Sequence, residues 1–229
     1  MEENKFFRLV WRFNGLVISV AGVLAVSVLL FVTYKLFQDV TRDRTTRNIV
    51  NIEENSEVKE NWRLGQLSKI NDEKTLMIPL YSDQLSERAY FSKSSNSARN
   101  YLFINTETSE KNWLFNHTNY LIERSERLRE GDYNSDKPVI AILYQLVQLD
   151  SDQDNRLSAT DISTVAVTKP DGSGYKELIK EVEKIVDHTL LNQTELFLIY
   201  QKAGISYSTI INLENFEVTK TEKLPKVGL

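Results

Sequence analysis

The residues best equipped for chemistry sit together in one stretch of the 229-residue chain, Asp150-Ser-Asp152-Gln-Asp154-Asn155-Arg156-Leu157-Ser158-Ala-Thr-Asp161. Three aspartates at alternate positions crowd like charge into one turn, and they repel one another unless a cation compensates. Oxygen donors recur at the first, third, fifth, seventh, ninth and twelfth places. These are the carboxylates of Asp150, Asp152 and Asp154, the backbone carbonyl of Arg156, the Ser158 hydroxyl (directly or through water) and the carboxylate of Asp161. Calcium, a hard cation that takes about six to eight oxygens, suits such a set. The competing reading is an acidic, solvated turn that binds nothing.

This spacing resembles the twelve-residue calcium loop of EF-hand proteins, with Leu157 where that family has an inward-facing aliphatic residue. Two departures weaken the resemblance. Asn155 stands where the family has glycine, although asparagine tolerates the left-handed backbone better than most residues. Asp161 replaces glutamate, and its shorter arm is less suited to a bidentate grip. Downstream, ISTVAVTKP is β-branched and ends in proline, which argues against a second EF helix. The expectation is an EF-hand-like loop between two strands. Its calcium site is weak and fills where calcium is millimolar, outside the cytoplasm.

The elements that position this loop read as short β-rich runs punctuated by turns. Three passages look alike as hairpins: Tyr101–Phe115, Ser163–Ile179 and Ser208–Leu224. Each follows an apolar strand, namely LMIPLYS at 76–82, VIAILYQLVQL at 139–149 and ELFLIYQKA at 195–203. Before those come WRLGQLSKI at 62–70, YLIERSERL at 120–128 and KIVDHTLL at 184–191. The spacing of about 55–65 residues predicts three units of roughly four strands each. Between 178 and 190 the apolar spacing also fits a helix, but the match to the repeat favours strand–turn–strand. The turn Pro170-Asp171-Gly172 and its flanks, PDGSGYKEL, resemble the blades of TolB-type β-propellers. The fold class is therefore mainly β: an N-terminal transmembrane helix, then a partial propeller-like domain or β-sandwich over residues 61–229. Three units are fewer than the four or more that close a propeller ring, so strand edges should be covered by a protein partner or a homo-oligomer.

The N-terminal region carries an uncharged run from Phe13 to Tyr34, bounded by Arg12 and Lys35. About twenty apolar residues suffice to cross a bilayer as a helix, and Trp11, Phe13, Tyr34 and Phe37 suit the interfacial belts. The small residues Ala21, Gly22 and Ala25 lie in the middle of the run, so an uncleaved anchor reads better than a signal peptide. The expected organisation is a tail over 1–12, a transmembrane helix over 13–37, a polar stalk over 38–60 and the β domain beyond. Basic residues flank the span on both sides, so the positive-inside rule gives no clear vote. The signal-anchor resemblance and the calcium argument place the domain outside, in the periplasm of a bacterial inner membrane.

Composition narrows the function. Net charge is −4, which argues against a nucleic-acid surface. The chain has no cysteine and only two histidines, His117 and His188, so it offers no disulfide, no cysteine nucleophile and no three-histidine zinc site. No nucleophile elbow, P-loop or dinucleotide fingerprint is present. The expectation is a membrane-anchored interaction or scaffold module with a calcium-binding loop, rather than an enzyme. The alternative is an envelope hydrolase using carboxylate acid–base chemistry, which would need two positioned carboxylates in a cleft.

Overall fold

The computed structural model describes residues 5–41, 50–51, 60–70, 74–84, 96–131 and 137–225. Two compact units emerge, Met1–Thr45 and Thr46–Leu229.

The first unit is a single helix, α1 (Lys5–Thr41), which extends the expected 13–37 span at both ends. Its segment Arg8–Tyr34 has a mean hydropathy of 2.7 and is long and apolar enough to cross a membrane. Side chains such as Leu16, Leu24 and Phe31 are exposed, so no protein core explains their apolar character. The hydroxyls of Ser19, Ser27 and Thr33 each donate to the carbonyl four residues back, at 2.8 Å. Hydroxyls satisfied in this way are compatible with an apolar surrounding.

Among its described residues the second unit is built of antiparallel β-strands. Its strands are β1 (Val50–Asn51), β2 (Glu60–Leu64), β3 (Ser68–Ile70), β4 (Thr75–Gln84), β5 (Asn96–Asn105), β6 (Lys111–Trp113), β7 (Leu121–Arg129) and β8 (Val139–Val147). There follow β9 (Arg156–Leu157), β10 (Ser163–Thr168), β11 (Lys176–Val182), β12 (Lys184–Leu190), β13 (Glu195–Lys202), β14 (Ile205–Asn212) and β15 (Glu217–Lys223). The three hairpins foreseen from sequence are β5–β6, β10–β11 and β14–β15. Residues 178–190, where helix and strand competed, are the strands β11 and β12. Most of the expected stalk, 42–49 and 52–59, lies outside the described residues. Val50 and Asn51, however, form β1 and belong to the β unit.

Three meanders, of five, four and four strands, account for most of the connectivity. The first runs β2 (with β3)–β4–β5–β6, the second β7–β8–β10–β11, the third β12–β13–β14–β15. The first two are continuous through one bridge, Ala98 opposite Ile122, so they form one nine-stranded sheet that is not closed. The second meander is the central layer. Ala141, Leu143, Val165 and Val167 pack with Leu196, Leu198 and Ile211 of the third meander. On its other face Ile142, Tyr144, Leu146 and Ala166 pack with Met77, Tyr101 and Phe103 of the first. Burial on both faces explains why β8 (VIAILYQLV) is nearly continuous in apolar residues and why every residue of β10 (STVAVT) is buried, while burial alternates along β13 and over the second half of β14.

Turn chemistry fixes the hairpins. In the second, the Gly172 amide donates to the Lys169 carbonyl at 2.9 Å, and the Asp171 carboxylate accepts from the Ser173 amide at 2.9 Å. Asn105 and Asn212 make the same side-chain turn in the first and third, accepting from the amides of Glu107 and Glu214. Asparagine and aspartate favour this geometry because their short side chains reach a backbone amide two residues on.

Candidate metal centre

The acidic loop leaves β8 after Val147 and returns as β10 at Ser163, so it joins two neighbouring strands of the central meander. Its inner half is pinned. Leu157 is buried with Val50, Leu121 and Val147, and β9 pairs with β1 in the register Val50 opposite Leu157 and Asn51 opposite Arg156. The aliphatic place foreseen for Leu157 is thus an anchor. A two-residue strand from well upstream in the chain holds one side of the loop.

The outer half gathers carboxylates. One oxygen from each of Asp150, Asp152 and Asp154 lies within 4.8 Å of the others, a grouping that could hold a metal ion. Asp150 also shapes the backbone, accepting from the Asp154 amide at 3.2 Å and the Asn155 amide at 2.8 Å. Asn155 has φ 62° and Gln153 has φ 61°. The left-handed conformation foreseen for Asn155 is therefore present, and a second one stands two residues before it. Asparagine adopts this region at less cost than most residues.

The electrostatics differ within the trio. A hydroxyl hydrogen bond from Thr160 (2.9 Å) is the main influence on Asp152 and holds its carboxyl below the ordinary aspartate range. Partial desolvation, then the charge of Asp152, pushes Asp154 above it.

The remaining sequence-nominated residues are placed differently. Asp161 is 2% exposed and does not join the trio. One of its oxygens accepts from the Ser151 amide (2.6 Å), the Ser151 hydroxyl (2.9 Å) and the Asp152 amide (3.4 Å). Its other oxygen accepts from the Ser158 amide at 2.9 Å. Asp161 thus closes the loop by binding backbone donors at both ends of it. The Ser158 hydroxyl is 2.7 Å from that of Thr160 and accepts from the Thr160 amide at 3.2 Å. Arg156 is exposed on β9.

Two contributors escaped the sequence reading, Thr160 and Ser151, whose hydroxyl accepts from the Ile162 amide at 2.9 Å. The signal was the ordinary tendency of serine and threonine to bond nearby backbone. Hard oxygens and three clustered carboxylates fit a cation of the calcium type better than one preferring nitrogen or sulfur.

No protein-family model matches the chain, and no curated protein matches it. Among solved structures it is similar to the β-propeller domain of the Trilobed protease from Pyrococcus furiosus, at 11% identity and a TM-score of 0.39. The match covers 75% of this chain, which spans 45% of that one. A superposition at this score carries no weight for the function of the chain.

Proposed function

We propose that this protein is a membrane-anchored interaction module whose β domain is stiffened by calcium at Asp150, Asp152 and Asp154, and that it binds rather than catalyses. The observation that carries the reading is the Arg8–Tyr34 helix, apolar and exposed along its length and joined to a β unit with its own stacked cores. An anchor of this kind confines a domain to two dimensions and raises its effective concentration toward anything else on that surface. The domain lies on the extracytoplasmic side, where millimolar calcium fills a weak site. Calcium would remove the repulsion inside the loop. The chain's own residues do the rest, because Leu157 and β1 transmit the loop's order to β7 and β8 through Val50, Leu121 and Val147.

Alkaline carbonate extraction should leave the full-length protein in the membrane, and protease added to intact spheroplasts should digest the domain beyond Arg47. Release of a shortened soluble form, or protection until lysis, overturns the anchor or its orientation respectively. For the metal, calcium in hundredfold excess over Kd would stabilise the folded form by about 2.7 kcal/mol. A weak site at millimolar calcium should give nearer 1 kcal/mol, a shift of a few degrees in Tm. Identical melting curves in calcium and EDTA, with no heat of binding up to millimolar calcium, would reduce the loop to an acidic turn.

A further inference from the structure

The first described strand after the apolar helix is β1, and it is held lightly. Thr41 ends α1 and Val50 begins β1, nine residues on. With β9 it forms a separate sheet of two strands, each two residues long, outside the nine-stranded and four-stranded sheets. Val50 is 2% exposed in a cluster of four, with Leu121, Val147 and Leu157. The two larger cores contain no residue of β1 or β9. A two-stranded ribbon is marginal by itself. Elements with so few buried apolar contacts open at lower free energy than the strands around them.

The partner strand of β1 belongs to the acidic loop. Before β9, the Asp150 carboxylate accepts from the amide of Asn155, the residue preceding Arg156. After it, Asp161 accepts from the amide of Ser158, the residue following Leu157. The edge that β1 pairs with is thus set on both sides by loop carboxylates. Repulsion among Asp150, Asp152 and Asp154 loosens that edge, and a cation that removes the repulsion firms it. The next strand is secured elsewhere: β2 pairs with β4 from Glu60 opposite Gln84 onward.

We propose that β1 is a releasable clasp that sets how far the β unit can reach from its anchor, and that calcium-driven order in the acidic loop closes it. With β1 seated, the covalent path from Thr41 to the β unit is nine residues, about 30 Å at full extension. With β1 released, the path runs to Glu60, nineteen residues and about 65 Å. The ceiling on reach doubles while both larger cores stay intact. Reach decides which partners a tethered module can meet, because a connection too short for the gap forbids binding however good the contact. The coupling is reciprocal, so whatever opens the clasp also weakens calcium binding. The proposal rests on the anchor and calcium readings above and adds their regulation.

The test uses the full-length chain in nanodiscs, with a donor dye ligated to its C-terminus and acceptor dyes on lipid headgroups. Wild type should transfer more energy in millimolar calcium than in EDTA. Val50→Asp, which puts a charge into the buried seat of the clasp, should transfer weakly in both, with circular dichroism unchanged. Because the chain lacks cysteine and Asn51 lies opposite Arg156, Asn51→Cys with Arg156→Cys can be oxidised to lock the pair. The locked form should transfer as strongly in EDTA as in calcium, and reduction should restore the calcium dependence. If Val50→Asp fails to fold, the locked and reduced forms decide alone. Equal transfer from locked and reduced forms in EDTA would overturn the clasp. So would equal transfer by wild type in calcium and EDTA where calorimetry shows calcium bound. Absence of any heat of calcium binding is a separate result, which overturns the metal reading and the calcium control together.

Discussion

The ring of Phe103 on β5 lies against the backbone of Gly172, the glycine of the β10–β11 turn, so closely that a side chain at 172 would collide with it. The contact joins two meanders, because Phe103 belongs to the cluster between the first and the second. Gly172 also has φ 81°, where a side chain is strained whatever the space. Glycine is therefore required twice, for the turn and for the approach of the neighbouring layer. Gly172→Ala should destabilise the domain by roughly 2–4 kcal/mol, adding the cost of a left-handed alanine to that of overpacking. Chemical denaturation of the purified protein measures it. A change below about 0.5 kcal/mol, the usual limit for neutral surface positions, would show that the turn does not dock on Phe103.

Asn155 gives the opposite sign. Its φ of 62° suits glycine better than asparagine, and its side chain is exposed. Asn155→Gly should leave metal-free stability equal or higher by a few tenths of a kcal/mol, because relief of strain offsets the extra freedom of the unfolded chain. It should also tighten calcium binding. Isothermal titration on wild type and variant tests this, and weaker binding by the variant would refute it.

Much of the β domain was legible because its signals are local. The three hairpins were visible as apolar strands joined by short polar turns, with Pro170-Asp171-Gly172 the clearest of them, and β8 was visible as a nearly continuous apolar run. The acidic loop was legible in its spacing, and the trio does converge. What sequence could not show was which oxygens the protein would use itself. Asp161 offered the same carboxylate as Asp150, yet its burial beside the Ser151 and Ser158 amides turns it to the backbone. Nor was β1 visible. Val50 and Asn51 lie in a polar stretch with no alternation to read, and their strand exists only because Leu157 supplies a partner about a hundred residues away.

That distant pairing can be tested. Val50 is 2% exposed among Leu121, Val147 and Leu157. Val50→Ala should cost about 1–3 kcal/mol through lost burial and the cavity left behind. Because β1 holds one side of the acidic loop, the same change should weaken calcium binding without touching a carboxylate. A melting curve in EDTA reads the first effect, and the calcium increment in Tm reads the second. Loss of stability with a full calcium increment would show that the loop is organised without β1.

The last prediction separates the roles of the two exposed aspartates by pH. Asp154 has its carboxyl raised, so the fold disfavours its ionised form. For an acid shifted upward, folding loses stability as pH climbs from the ordinary aspartate value through the raised one, and the whole cost is present above that. Asp154→Asn removes this cost. In EDTA the variant should therefore melt above wild type at neutral pH, and the two should converge below the ordinary aspartate range. Asp152 is shifted the other way, chiefly by Thr160. Its contribution is present above the ordinary aspartate value and is lost as pH falls through the depressed one, so Asp152→Asn and Thr160→Val should lower Tm at neutral pH. Calcium should invert the first result, because wild type then gains a ligand that Asp154→Asn holds less well. Melting curves at neutral and acid pH, with EDTA and with millimolar calcium, resolve all the cases. If Asp154→Asn stays below wild type at neutral pH in EDTA, its carboxylate stabilises the empty loop, and the repulsion argument for a cation fails.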